Sequence, residues 1–300
     1  MARRIRLDAE LVRRGLARSR EQAAQLVAAG RVEVRGTVAS KVAAMVDPAD
    51  AVRVLGGDAA DEYVSRGGHK LAGALAAFRS SLPGAPELVV AGRRCLDAGA
   101  STGGFSDVLL RAGAREVVAV DVGYGQLAWS IRTDPRVRVH DRTNVRSLTP
   151  DAIGGGCDLI VADLSFISLR LVLNALASCL LPDGDLVPMV KPQFEVGRDR
   201  VGPGGVVRDP TLRADAVLDV ARYAAGLGLG VAGVATSPLP GPAGNVEFFL
   251  WLRRGPDAIG AAGVRSVVEA GVPTNDDTDP AEDGDAGDAR AADPPDEGRR

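Results

Sequence analysis

The chain has 300 residues, 46% of them hydrophobic and 4% aromatic, enough for one large domain or two ordinary ones but too few rings for an extended base-stacking platform. The net charge of −3 divides unevenly: residues 274–300 hold ten acids against three arginines, a net of −7, which leaves +4 over the rest, and residues 1–41 alone carry +6. Three scattered cysteines (Cys95, Cys157, Cys179) and two histidines show no metal-ligand spacing, no apolar run of about 18 residues occurs, and the N-terminus has no signal-peptide core, so the expectation is no metal, no membrane span, reduced buried thiols and a cytoplasmic location.

Leu7, Leu11 and Val12 mark one face of a short helix that stops at Gly15, and Ser19-Arg-Glu-Gln22 reads as a capping box. The helix behind it buries Ala23, Leu26 and Val27 and stops at Gly30, and the short strands Val32-Glu-Val34 and Val52-Arg-Val54 follow. Arg3, Arg4, Arg6, Arg13, Arg14, Arg18 and Arg20 cluster at the helix starts and in the turn between them, an electrostatic footprint suited to nucleic acid. The stretches Leu7-Asp-Ala-Glu-Leu-Val-Arg-Arg-Gly-Leu-Ala-Arg-Ser-Arg-Glu-Gln-Ala and Leu26-Val-Ala-Ala-Gly-Arg-Val-Glu-Val-Arg-Gly36 resemble the S4 RNA-binding domain, a small α+β module, and set its bounds at residues 1–58.

Residues 59–68 read as a linker, and a helix with Leu71, Leu75 and Phe78 on one face follows. Strand signals at 93–96, 116–121, 136–140, 157–163 and 184–190 then alternate with helix signals at about 104–112, 125–132, 168–181 and 210–227. That alternation predicts an α/β fold, a doubly wound parallel sheet with helices on both faces. Two further strand signals, 230–236 and 246–252, are separated only by Pro238-Leu-Pro-Gly-Pro-Ala-Gly-Asn245, so the last pair is predicted antiparallel. The arrangement resembles the class I (Rossmann-like) methyltransferase architecture over residues 69–256. A helical extension at 257–273 and an acidic tail at 274–300, too poor in apolar bulk to order, complete the chain.

Asp97-Ala-Gly-Ala-Ser-Thr-Gly-Gly-Phe105 joins the first strand of the sheet to a helix. Its glycines allow a tight turn and a close approach of bare backbone to a ligand. The spacing is not G-x-G-x-x-G, so a dinucleotide reading fits poorly. The loop resembles the first loop of S-adenosylmethionine-dependent methyltransferases, which implies S-adenosyl-L-methionine held near Asp97, Gly99, Ala100, Ser101, Thr102, Gly103 and Phe105. Asp121 ends the next strand, where a carboxylate can accept both ribose hydroxyls, and Asn144 and Asp163 end the following two, as candidates for the adenine edge and the methionine end.

Lys70, Asp163, Lys191 and Glu247 are the candidate catalytic residues. Their Lys-Asp-Lys-Glu order resembles the tetrad of RNA ribose 2′-O-methyltransferases. A ribose hydroxyl is a poor nucleophile and must lose its proton as it attacks, a task for a neutral lysine. Lys191 is the expected base, with Lys70 and Glu247 orienting it and the ribose. The neighbouring acids favour the charged amine, so its protonation state stays open. Asp163 is followed by Leu-Ser-Phe rather than the Pro-Pro-aromatic run of enzymes that methylate exocyclic amines.

The markers Ser65-Arg-Gly-Gly-His-Lys70, Asp97 to Phe105, Asp121-Val-Gly-Tyr-Gly-Gln-Leu127, Ala162-Asp-Leu-Ser-Phe-Ile-Ser168, Val190-Lys-Pro-Gln-Phe-Glu195 and Ser237 to Glu247 resemble those of the TlyA family over residues 3–253. These are S4-domain rRNA 2′-O-methyltransferases, also called hemolysin A. The resemblance implies methylation of cytidine 2′-hydroxyls in large-subunit (23S) rRNA. The basic start Ala2-Arg-Arg-Ile-Arg6 looks like the longer family type, which implies small-subunit (16S) rRNA too. It also implies a link to capreomycin and viomycin susceptibility and ribosomal RNA or subunits as partners; a monomer is expected, though the sequence itself is silent on oligomeric state. Tyr63 stands where relatives often have Trp. Candidate RNA contacts are Arg4, Arg6, Arg18, Arg20, Lys41, Arg66 and Arg142, with Arg132, Arg136, Arg138 and Arg146 adding charge near one strand. The glycine-rich stretch at 197–205 reads equally as a lid or an exposed loop. Two other classes compete: a membrane-lytic hemolysin, which would need an apolar span or a strongly amphipathic basic helix, and a non-catalytic rRNA-binding assembly factor, which would not need the tetrad.

Overall fold

The computed structural model describes residues 4–14, 16–17, 19–55, 63–79 and 87–271, which divide into two units, Met1–Arg66 and Gly67–Arg300. The expected helix stop at Gly15, the candidate contact Arg18 and the acidic tail lie outside the described residues.

In the first unit β1 (Ile5–Arg6) runs into α1 (Leu7–Arg13), and α2 (Arg20–Ala28) starts where the Ser19 hydroxyl accepts from the Gln22 amide at 3.1 Å. Four short strands follow: β2 (Val32–Val34), β3 (Thr37–Val38), β4 (Met45–Val46) and β5 (Val52–Val54). β2 pairs antiparallel with β3 and β5, and β1 with β4, around a core of Leu7, Leu11, Ala23, Leu26, Val27 and Val32. Two acids on α1 lie at the base of the arginine cluster. Buried Glu10 is bracketed by Arg13 at 2.6 Å and Arg14 at 2.7 Å, and the Arg13 hydrogen bond leads in holding its carboxyl down to about 2. Asp8 takes Arg6 at 3.0 Å and Arg20 at 3.7 Å.

The second unit opens with α3 (Arg66–Ala77), which begins inside the segment expected to be a linker because Gly68, Lys70, Leu71, Ala74 and Leu75 bury one of its faces. It continues with β6 (Arg94–Ala98), α4 (Gly104–Arg111), β7 (Glu116–Val120), α5 (Trp129–Arg132), β8 (Val137–His140), β9 (Cys157–Ala162), α6 (Leu173–Ser178) and β10 (Leu180–Val190). After these come α7 (Pro192–Glu195), α8 (Pro210–Gly226), β11 (Leu229–Thr236), β12 (Phe248–Arg254) and α9 (Ala261–Ala270). The sheet order is β11-β12-β10-β9-β6-β7-β8. β6 to β10 are parallel, and β12 lies antiparallel between β10 and β11. The order reverses between β6 and β9, which opens a crevice at the carboxyl ends of those strands. α6, α8 and α9 contribute to the core on one face of the sheet. Alternation along β12 sends Phe249 and Trp251 to the other face, where they meet Phe105 of α4 and Phe78, just after α3, at ring distances of 6.0 and 5.6 Å.

Two expected helices are shorter than their sequence pattern. The one over 125–132 is only Trp129–Arg132, since Gly125 takes φ +67° and Ala128 is extended. The one over 168–181 breaks into a 3-10 turn at Leu169–Leu171 and the short α6, and β10 then starts early, with its register shifting between Leu180 and Asp185. Among the described residues no helix is long and apolar enough to cross a membrane, and no group of three or more His, Cys, Asp or Glu is placed to hold a metal ion.

Candidate active site

A cavity of about 540 Å³ opens at the switch point, lined by Gly99, Ser101, Asp121, Asn144 and Asp163 together with Gln126, Leu164, Ser165 and Phe166. Its floor is the loop after β6. Gly99 takes φ +86°, and a Cβ there would stand 2.4 Å from the Asp163 carbonyl, so only glycine lets the loops after β6 and β9 approach this closely. The Gly99 and Ala100 amides both donate to the Val120 carbonyl, at 2.8 and 3.1 Å, which ties the loop to the end of β7. One step beyond that strand, Asp121 accepts from the amides of Ser101 at 2.8 Å and Gly123 at 2.7 Å, one on each oxygen. A carboxylate has lone pairs to spare after two such bonds, and these are free for ligand hydroxyls. The Asn144 side chain accepts from the Arg146 amide at 3.0 Å.

Not every residue singled out in the loop reaches the cavity. Asp97 is wholly buried behind it: Ser106 donates to one carboxylate oxygen at 2.7 Å, and the other has no donor. Burial pushes its carboxyl up to about 7. Ala100, Gly103 and Phe105 are also buried, Phe105 as core, while Thr102 is exposed.

The four charged residues form two pairs. Lys70 Nζ on α3 donates to Glu247 Oε2 at 2.5 Å, with both side chains buried. Lys191 Nζ lies 2.6 Å from Asp163 Oδ1, an ion pair without the alignment of a hydrogen bond, since that oxygen has no aligned donor. Lys191 donates instead to Ser165 Oγ at 2.9 Å. Lys191 and Glu247 stand one residue beyond the register pair Val190 and Phe248, so both pairs share one sheet edge. A Cβ on Gly241 would stand 2.6 Å from Glu247 Oε1, which explains a glycine in the turn before β12.

The loop after β9 carries Asp163, Ser165 and Phe166, and α7 clamps it. Buried Glu195 accepts from the Ser168 hydroxyl at 2.6 Å and the Leu169 amide at 2.7 Å, while burial raises its carboxyl against those donors. Phe166 is 92% exposed at the cavity rim and packs against Phe194 at 5.4 Å. Sequence reasoning passed over Ser165, Gln126 and Glu195; each lies within a quoted motif, and the paired serines of Asp-Leu-Ser-Phe-Ile-Ser were the available signal. The stretch at 197–205 is anchored at its base, where Asn245 accepts from the Val207 amide at 3.0 Å and donates to the Gly205 carbonyl at 2.8 Å.

Among the candidate RNA contacts, Arg4, Arg6, Arg20, Lys41, Arg66 and Arg142 are exposed. Arg142 lies over the Tyr124 ring at 4.3 Å. Arg132, Arg136 and Arg138 are engaged by Asp141, Asp134 and Glu116.

A family model described as FtsJ-like methyltransferase matches residues 63–254, and one described as S4 domain matches residues 5–52. The chain is 61% identical over 273 residues to the 16S/23S rRNA (cytidine-2′-O)-methyltransferase TlyA of Mycobacterium tuberculosis (strain ATCC 25618 / H37Rv), covering 91% of this chain and 98% of that one. It is 34% identical over 245 residues to Hemolysin A of Brachyspira hyodysenteriae, covering 81% and 98%. A solved Streptococcus thermophilus structure that carries a hemolysin name aligns with a TM-score of 0.67 at 38% identity, over 89% of this chain and 95% of that one.

Proposed function

The chain belongs to the TlyA family of FtsJ-like methyltransferases, and on that premise we propose that it transfers a methyl group from S-adenosyl-L-methionine to cytidine 2′-hydroxyls of ribosomal RNA, in the large subunit and, with its basic start, in the small subunit as well. The observation that carries the reading is the two lysine–acid pairs on one sheet edge beside a glycine-floored cavity.

The cavity fits the cofactor. Its volume is that of a small-molecule site, Gly99 leaves the bare backbone that a close-lying ligand needs, and Asp121 presents unused lone pairs where a nucleoside ribose binds in doubly wound folds. Bound there, S-adenosyl-L-methionine supplies a methyl group made electrophilic by its sulfonium. Lys191 Nζ, in its neutral form, would take the proton of the 2′-hydroxyl and so make that oxygen nucleophilic. Lys70 and Glu247 neutralise each other and hold the base and the ribose in register. The S4-like unit supplies RNA affinity. Ribosomes as substrate place the enzyme in the cytoplasm.

The test is incubation with labelled cofactor and unmodified ribosomal subunits, followed by mapping of the methylated nucleotide by mass spectrometry. Cytidine 2′-O-methylation is expected, and no label in either subunit overturns the function. Lys191→Ala should lower the rate at least about 10²-fold with RNA binding near wild type; retained methylation removes Lys191 from the role of base.

A further inference from the structure

A lysine amine sits on a flexible four-carbon stem, and it serves as a base only when its lone pair faces the reacting hydroxyl. Lys191 Nζ is 2.6 Å from Asp163 Oδ1 and donates to Ser165 Oγ at 2.9 Å. The amine is therefore held beside two residues that line the cavity, and the Ser165 hydrogen bond fixes one of its directions. Of the two, the serine makes the aligned hydrogen bond, so Ser165 fixes how the amine is turned while the carboxylate holds it by charge.

Ser165 is exposed on the cavity wall. The next residue, Phe166, takes φ +63°, a conformation rare for a bulky side chain. The loop is held from α7 at two points, by the Phe166–Phe194 contact and by Glu195 accepting from Ser168 and the Leu169 amide. Lys191 immediately precedes α7. One five-residue segment, 191–195, therefore carries the amine and also grips the loop that orients it.

We propose that Ser165 is a positioning residue for Lys191, and that Glu195 holds Ser165 in place; this rests on the reading of Lys191 as the base. The experiment measures single-turnover methylation of ribosomal subunits by the full chain with saturating cofactor, together with KM for RNA, cofactor affinity by calorimetry and melting temperature. Ser165→Ala is expected to slow the step about ten- to a hundredfold, the scale of a misplaced catalytic group, with KM, cofactor affinity and melting temperature unchanged. Ser165→Thr keeps the hydroxyl and restores most of the rate. Glu195→Gln lowers the rate in the same direction while staying folded. A wild-type rate in Ser165→Ala overturns the proposal. So does a Ser165→Ala that loses only cofactor or RNA affinity, because Ser165 would then be a ligand contact, and so does a Ser165→Thr as slow as Ser165→Ala. Lys191→Ala is run beside them. Activity there overturns the base and the positioning role together, whereas a dead Lys191→Ala with a fast Ser165→Ala overturns the positioning role alone.

Discussion

Asp97 shows how one residue's environment overrides what its position suggests. It is the penultimate residue of β6, just before the cofactor loop, where an acid reads as a ligand contact, yet it is wholly buried behind the cavity. Burial pushes its carboxyl from the ordinary 3.8 up to about 7, against the Ser106 hydroxyl and with help from the charges of Asp163 and Asp121. An acid with a raised pKa holds its proton more tightly in the folded state. Its contribution to stability therefore falls as the pH rises from about 4 to 7, and the full penalty persists above that. Asp97→Asn removes this slope. Its melting temperature without ligand should drop less between pH 5 and pH 8 than that of the wild type, on the order of the linkage expected for one shifted group. Parallel profiles for the two proteins would mean that Asp97 titrates as an ordinary acid.

At the scale of elements, the Lys70–Glu247 pair joins α3 to the start of β12 across 177 residues of chain. Removing one partner strands a buried charge, which costs about 3–5 kcal/mol, whereas replacing both with apolar groups is often neutral. Lys70→Met alone should therefore lower the melting temperature clearly, and Lys70→Met with Glu247→Leu should recover most of it, while neither methylates RNA. A double variant as unstable as the single one would show that the pair matters for more than charge compensation. In the large sheet the strands are the most legible elements, because β6, β7 and β9 are short apolar runs bounded by turn residues, whereas the two-residue strands β1, β3 and β4 of the first unit are too short to carry a pattern. The helices expected over 125–132 and 168–181 are shorter in the structure. Apolar spacing there continued past points where the backbone turns, at Gly125 and around Val172, and turns of that kind are set by the neighbouring loops.

Over the whole molecule, the acidic tail masks a basic surplus concentrated at the N-terminal end. Several of the arginines there are already paired: Arg13 and Arg14 with Glu10, and Arg6 and Arg20 with Asp8. Exposed Lys41 and Arg142 are better tests of phosphate contact. Lys41→Ala with Arg142→Ala should weaken rRNA binding and reduce the slope of log affinity against log salt by about one to two, since each neutralised phosphate contributes roughly 0.7–0.9. Filter binding between 50 and 200 mM salt reads this range, and an unchanged slope would take both residues out of the interface.

The sequence by itself determined the alternation of strands and helices through the large sheet, the antiparallel last strand pair and the glycine-rich loop after β6. These are local properties, carried by periodicity, turn chemistry and the residue that ends each strand. Only the tertiary structure decided that Lys70 pairs with Glu247 and Lys191 with Asp163, that Ser165 and Glu195 support that second pair, and that Asp97 stays behind the cavity. Those outcomes depend on strand order and burial, which bring residues from distant parts of the chain to a single sheet edge, and no spacing within one segment encodes them.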